Sequence, residues 1–187
     1  MSNQRIEAVL FDIGNVVVRA THKIAEAILW DLGVRPDKVA RFFHGAHHAD
    51  FARGRITGEQ FTQAVRDALE APHLTEGLIR VAHDAHIYAV DADVLRVLHA
   101  ITEAGIPLAF VTATNEWQNA RVHALIDLAR DYGPIACSNL LGMTKTDSDA
   151  WPAILRWLAD QSECWRGRDP ATIFFVDDAS ANCAAAE

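Results

Sequence analysis

Hydrophobic residues recur along the chain in two spacings. Four short runs, at 6–11, 107–111, 134–137 and 172–176, have strand length, and three of them are near-continuous rather than alternating. Near-continuous runs fit strands covered on both faces, as in a parallel sheet between layers of helices. Segments 91–104, 117–131 and 150–161 have helical length and amphipathic spacing and alternate with the later strands. The C-terminal half therefore reads as repeated strand–helix–strand units. The first strand departs from this rhythm, because roughly 80 residues separate it from the next sheet helix, far more than a strand-to-helix connection needs. Within that interval 23–32, 36–43, 58–70 and 76–86 read as helices, and Thr57 with Gln60 three residues on marks a capping box at the start of the third. The expected architecture is α/β: a Rossmann-like parallel-sheet core from residues 1–18 and 89–187, with a small helical cap, 19–88, inserted after the first strand.

Composition narrows the classes open to this fold. With 187 residues, 50% hydrophobic and 22% charged, the chain can bury a real core but is short for two full-sized domains. No stretch approaches the roughly 18 uninterrupted apolar residues of a membrane span, and residues 1–7 lack the layout of a secretory signal. A soluble, cytoplasmic protein with no membrane partner is the expectation. The net charge of -8 argues against a nucleic-acid partner, since affinity for a phosphodiester backbone needs a basic surface. A small anionic ligand at a locally positive site stays open. Cys137, Cys164 and Cys183 are widely spaced with no C-x-x-C pair, which suggests neither a disulfide framework nor a zinc site.

The chemistry lies in the residues just after each apolar run: Asp12, Thr112, Ser138, and the pair Asp177 and Asp178. In an open parallel sheet these positions gather at the carboxyl edge, where ligands bind. Asp, Ser and Thr also favour turns, which explains any one of the four more readily than all of them together. Asp12, Asp177 and Asp178 cannot all ionise cheaply side by side, and Mg²⁺, a hard cation held by carboxylates and substrate phosphate, resolves the repulsion. Lys145, in the loop after the third strand, could bring a point charge to the same phosphate. One carboxylate could attack phosphorus to give an aspartyl-phosphate.

The segment Phe11-Asp12-Ile13-Gly14-Asn15-Val16-Val17-Val18 resembles the first motif of the haloacid dehalogenase-like (HAD-like) hydrolase superfamily. Val111-Thr112-Ala113-Thr114-Asn115 resembles the second, Lys145 within Gly142-Met143-Thr144-Lys145-Thr146-Asp147 the third, and Phe174-Phe175-Val176-Asp177-Asp178 with Asn182 the fourth. The first motif is most similar to the phosphatase branch reading Asp-Leu-Gly-Asn-Val, which includes glucose-1-phosphate phosphatase-like enzymes. Phe51-Ala52-Arg53-Gly54-Arg55-Ile56-Thr57 with Phe61 resembles that branch's cap. The resemblance implies a Mg²⁺-dependent phosphatase for a small phosphorylated metabolite, a sugar phosphate being favoured. It makes Asp12 the nucleophile and a metal ligand, with the Gly14 carbonyl as a second ligand. Asp178 would ligate directly, with Asp177 beside it. Thr112 and the Ala113 amide would bind phosphate, and Lys145 would neutralise phosphate and nucleophile together.

Departures from the pattern set the alternatives. Most phosphatases of the superfamily carry an acid–base Asp where Gly14 stands, although the Asp-Leu-Gly-Asn-Val branch shows the same substitution; Ala113 and Thr146 replace the usual Asn and Pro. A 2-haloacid dehalogenase is the runner-up enzyme, and a catalytically silent protein that binds a phosphorylated ligand or a partner is the alternative of another class. His44 and His48 have i, i+4 spacing, but no Glu or Cys pattern accompanies them, so contact with substrate from the cap is favoured over a metal site. The five tryptophans read as core or interface packing, and Arg53 as a solvated surface residue with an anionic-substrate contact as its alternative. The fold resembled usually continues beyond the fourth strand. Either the sequence stops short of the natural terminus, or the sheet ends early and leaves an edge for a neighbouring chain, as in an oligomer.

Overall fold

The computed structural model describes residues 5–187. Strand β1 (Ala8–Phe11) is followed by β2 (Val18–Ala20) and then by helices α1 (His22–Asp31), α2 (Pro36–Val39), α3 (Ala46–Ala52), α4 (Gly58–Leu69) and α5 (Glu76–Ala85). The chain returns through β3 (Ile87–Val90), α6 (Ala92–Glu103), β4 (Leu108–Thr112), α7 (Glu116–Leu125), α8 (Leu128–Asp131), β5 (Ile135–Cys137) and α9 (Ser138–Leu141). It ends with α10 (Ala150–Gln161), β6 (Ile173–Val176) and α11 (Ser180–Ala186).

The four sheet strands lie in the order β5-β4-β1-β6, all parallel. Every residue of β1 and β4 is buried, as their unbroken apolar runs require of strands covered on both faces. One apolar cluster packs Val9, Phe11, Leu98 and Phe110 on one side of the sheet; another packs Ala8, Leu10, Val111, Ile154 and Trp165 on the other. β1 lies between β4 and β6, with Phe11 in register with both Phe110 and Val176. The carboxyl ends of all three therefore meet along one edge.

The helices between β2 and β3 pack around their own apolar cluster, which includes Leu29, Phe42, Phe51, Phe61, Leu69 and Ile79. Trp117 of α7 enters this cluster edge-on to Phe51 and Phe61, at ring-centroid distances of 5.3 and 5.4 Å. The helical unit and the sheet unit thus share one large aromatic side chain.

Three local features differ from the sequence pattern. β2 and β3 form a two-stranded antiparallel ribbon where the chain leaves and rejoins the sheet unit; at three and four residues they are too short to show a period. The segment 117–131 is two helices, because Ile126 is extended and Asp127 caps α8 by accepting from the Arg130 amide. α3 has no counterpart among the expected helices, and Gly45, with φ +113°, breaks the chain just before it. Among the described residues no helix is long and apolar enough to cross a membrane.

Candidate active site

Asp12 directly follows β1, and its amide donates to the Val176 carbonyl at 2.8 Å, extending the ladder to the last residue of β6. That bond sets Asp12 beside Asp177. The Lys145 ammonium, 4% exposed, donates to Asp12 Oδ1 at 2.6 Å and also to Asp177 Oδ2. Asp177 Oδ1 accepts from the Ala179 amide at 2.8 Å and from Asn182 Nδ2 at 3.0 Å, so this carboxylate is fully held by its neighbours. Asp178 is exposed. One carboxylate oxygen from each of Asp12, Asp177 and Asp178 lies within 4.8 Å of the others.

Three carboxylates and one ammonium leave the cluster short of positive charge. Burial pushes the Asp12 carboxyl up to about 6, against the opposing pull of Lys145 and with a further push from Asp177. A hard cation with oxygen ligands would relieve this. A Cβ placed on Gly14 would stand 3.8 Å from Asp12 Oδ2, so a side chain at position 14 would start out beside the Asp12 carboxylate.

Thr112 ends β4, the strand next to β1, and is 7% exposed, while Ala113 follows at an exposed position. The loop after them is tied down from several directions. The Thr114 amide donates to Ser138 Oγ at 2.8 Å, and Ser138 Oγ donates to the Ala52 carbonyl of the cap at 2.6 Å. Asn115 caps α7 in a capping box with Gln118.

The other faces of Asn115 and Gln118 fix the tautomers of two buried cap histidines. Asn115 Oδ1 accepts from the Trp117 and Gln118 amides, so its Nδ2 donates to His83 Nε2 at 3.2 Å. Gln118 Oε1 accepts from the Asn115 amide, so its Nε2 donates to His86 Nε2 at 3.1 Å. Both rings therefore carry their proton on Nδ1 and are neutral. Burial lowers the pKa of each, His86 to about 4.

The remaining candidates fall elsewhere. His48 packs against Phe43 and Phe61, with its pKa pushed down to about 3 by burial and the neighbouring histidines; His44 lies outside α3, near His22. They do not form a paired ligand set on one helix. Trp117 and Trp165 are buried, as core packing requires, but Trp30 is 65% exposed. Arg53 is not a solvated residue: its Nη2 reaches Asp147 Oδ1 at 2.7 Å and Thr144 Oγ1 at 3.1 Å. Sequence reasoning missed the roles of His83, His86 and Asp147; the Asn115–Gln118 spacing of a capping box was a visible signal for the loop they support.

A parallel sheet that gathers carboxylates, a lysine and a threonine at its carboxyl edge, beside a helical unit inserted after the first strand, defines an α/β enzyme core of Rossmann-like type. The family model for haloacid dehalogenase-like hydrolases matches residues 6–187, and the chain belongs to this family. The solved structure of a HAD family enzyme from Bacteroides thetaiotaomicron, in complex with magnesium and inorganic phosphate, is similar with a TM-score of 0.80 and 20% identity, covering 97% of this chain and 89% of that one. A predicted HAD-like family hydrolase from Porphyromonas gingivalis gives a TM-score of 0.77 at 20% identity over 97% of this chain and 86% of that one. A dehalogenase gives 0.60 at 16% identity over 100% of this chain and 81% of that one. At these identities the likeness is one of fold. No curated protein matches the chain significantly in sequence.

Proposed function

We propose that the protein is a Mg²⁺-dependent phosphomonoester hydrolase that acts on a small phosphorylated metabolite through an aspartyl-phosphate on Asp12. The similarity of its first motif to the Asp-Leu-Gly-Asn-Val branch favours a sugar phosphate. The observation that carries the reading is the Lys145 ammonium shared between Asp12 and Asp177 beside the exposed Asp178. It sets a nucleophilic carboxylate, a fixed positive charge and acidic ligands within one small volume. The magnesium and phosphate bound by the Bacteroides relative support the same reading.

Asp12, Asp178 and the Gly14 carbonyl would hold the cation, with Asp177 beside them; these oxygen donors suit Mg²⁺. When bound, the cation supplies charge neutralisation for the phosphoryl oxygens. Thr112 Oγ1 and the Ala113 amide bind and orient the phosphoryl group. An Asp12 oxygen forms a bond to phosphorus as the ester oxygen leaves with the electron pair and takes a proton from water, since Gly14 offers none. A second water then attacks phosphorus, releases inorganic phosphate and restores the Asp12 carboxylate. Lys145 holds Asp12 in place throughout and balances the charge that gathers on the phosphoryl oxygens, the main source of rate in such chemistry.

The test is phosphate release from a generic aryl phosphate and a panel of sugar phosphates, with Mg²⁺ and with chelator. Release that needs Mg²⁺ and disappears in Asp12→Asn is expected. Absence of Mg²⁺-dependent release, or full activity in Asp12→Asn, overturns the reading. Halide release from a 2-haloacid would point to the dehalogenase alternative.

A further inference from the structure

The loop that carries Lys145 is held from across the molecule. Residues 144–147 form a turn closed by the Asp147 amide on the Thr144 carbonyl at 3.0 Å, with Lys145 and Thr146 as its central residues. Asp147 Oδ2 accepts in turn from the Thr144 amide at 2.7 Å. Arg53, immediately after α3 of the cap, reaches this turn with one nitrogen: Nη2 lies 2.7 and 2.9 Å from the two Asp147 oxygens and 3.1 Å from Thr144 Oγ1. The Arg53 side chain is 21% exposed and that of Asp147 38%, so the pair lies at the surface and its role rests on its geometry rather than on burial.

The residues on either side of Arg53 fix where it stands. The Ala52 carbonyl accepts from Ser138 Oγ. Gly54, at φ +66°, passes so close to α9 that a Cβ there would lie 2.3 Å from the Asn139 carbonyl oxygen. Ala52, Arg53 and Gly54 thus dock as a unit onto the start of α9 and the Lys145 turn. Arg53 is the charged member of that unit, and its anionic partner belongs to the turn itself.

We propose that Arg53 is a positioning residue: by clamping Asp147 and Thr144 from the cap, it fixes the turn that aims Lys145 between Asp12 and Asp177. Seating of the cap then completes the site. The catalytic consequence rests on the phosphatase reading above; the effect on Lys145 does not.

The chain contains three lysines, Lys23, Lys38 and Lys145, so lysine-selective ¹³C and ¹⁵N labelling gives a separate side-chain signal for each. In Arg53→Ala, the Lys145 ammonium signal is expected to lose its slow exchange with water while that of Lys38, which pairs with Glu70, stays unchanged. With an aryl phosphate, kcat is expected to fall about tenfold with KM within about twofold of the parent, since a misplaced reacting group costs rate more than binding. Arg53→Lys should restore part of both effects. Asp147→Asn should reproduce them without adding to Arg53→Ala, and it carries the comparison if Arg53→Ala does not fold. Arg55→Ala, which breaks only the Arg55–Asp50 pair of the cap, should change neither readout. An unaltered Lys145 signal in both Arg53→Ala and Asp147→Asn overturns the proposal, as does a rise in KM with kcat unchanged, which would make Arg53 a substrate contact. If the parent protein hydrolyses no phosphate ester and Lys145 still responds to Arg53, the phosphatase reading fails and the positioning role stands.

Discussion

Acid should weaken the fold through His86 before it reaches most carboxylates. His86 is 4% exposed, and its pKa is lowered from 6.5 to about 4, chiefly by burial, with the His83 and His22 rings adding to the effect. Its Nε2 accepts from Gln118 and its Nδ1 faces the His83 carbonyl, so a second ring proton would meet a donor already in place. A histidine held neutral in the fold binds its extra proton more readily when unfolded. Its contribution to stability is therefore complete above 6.5 and is lost as pH falls toward 4. The full gap is worth roughly 3 kcal/mol, of which about 2 kcal/mol is lost by pH 5. Asp12 runs the other way, because its folded pKa of about 6 lies above the usual 3.8 and acid relieves its burial. Total stability therefore mixes these two with His48 and His83, whose pKa values burial also lowers, and the informative quantity is the difference between parent and His86→Gln. Glutamine keeps an acceptor for Gln118 and does not titrate. Urea unfolding at pH 7.5 and pH 5 should show the parent losing about 2 kcal/mol relative to the variant. Parallel losses in the two proteins would refute the neutral, acceptor role given to His86.

The other predictions concern the charge cluster and the cap contact. Lys145→Met strands Asp12 and Asp177 together in a buried place and should lower unfolding free energy in metal-free buffer by about 3–5 kcal/mol; a change under about 1 kcal/mol in urea unfolding would contradict the two buried ion pairs. Gly54→Ala forces a Cβ against the Asn139 carbonyl at a positive φ and should cost about 1–3 kcal/mol in the same assay, with loss of any phosphate release. An unchanged midpoint would mean that the cap does not sit as closely on α9 as its backbone path indicates.

The strand ends were legible because strands buried on both faces leave unbroken apolar runs, so the residue after each run marks the sheet edge. Asp12, Ser138 and Asp177 all follow a strand directly, and Thr112 ends one. The ribbon of β2 and β3 was not legible, because Val18–Ala20 is shorter than two periods of alternation. The break at Ile126 was hidden by apolar residues on both sides of it, which continue a helical pattern although the backbone is extended there. Contacts between the helical unit and the sheet unit leave little local trace. Arg53 and Asp147 are 94 residues apart, and His83 and Asn115 are 32 apart. A charged or polar residue on a helix looks the same in sequence whether its partner is water or a distant loop. Gly54 is the partial exception, since a glycine beside Arg53 hints at close backbone approach without saying to what.

Asp12 is proposed to carry the phosphoryl group. Acid quenching of the protein during turnover of a ³²P-labelled sugar phosphate or aryl phosphate with Mg²⁺, followed by peptide mapping, tests it most directly. Hydroxylamine-labile label is expected on the peptide containing Asp12, and none in Asp12→Asn. Phosphate release without any label on that peptide, or label that persists in Asp12→Asn, would contradict it.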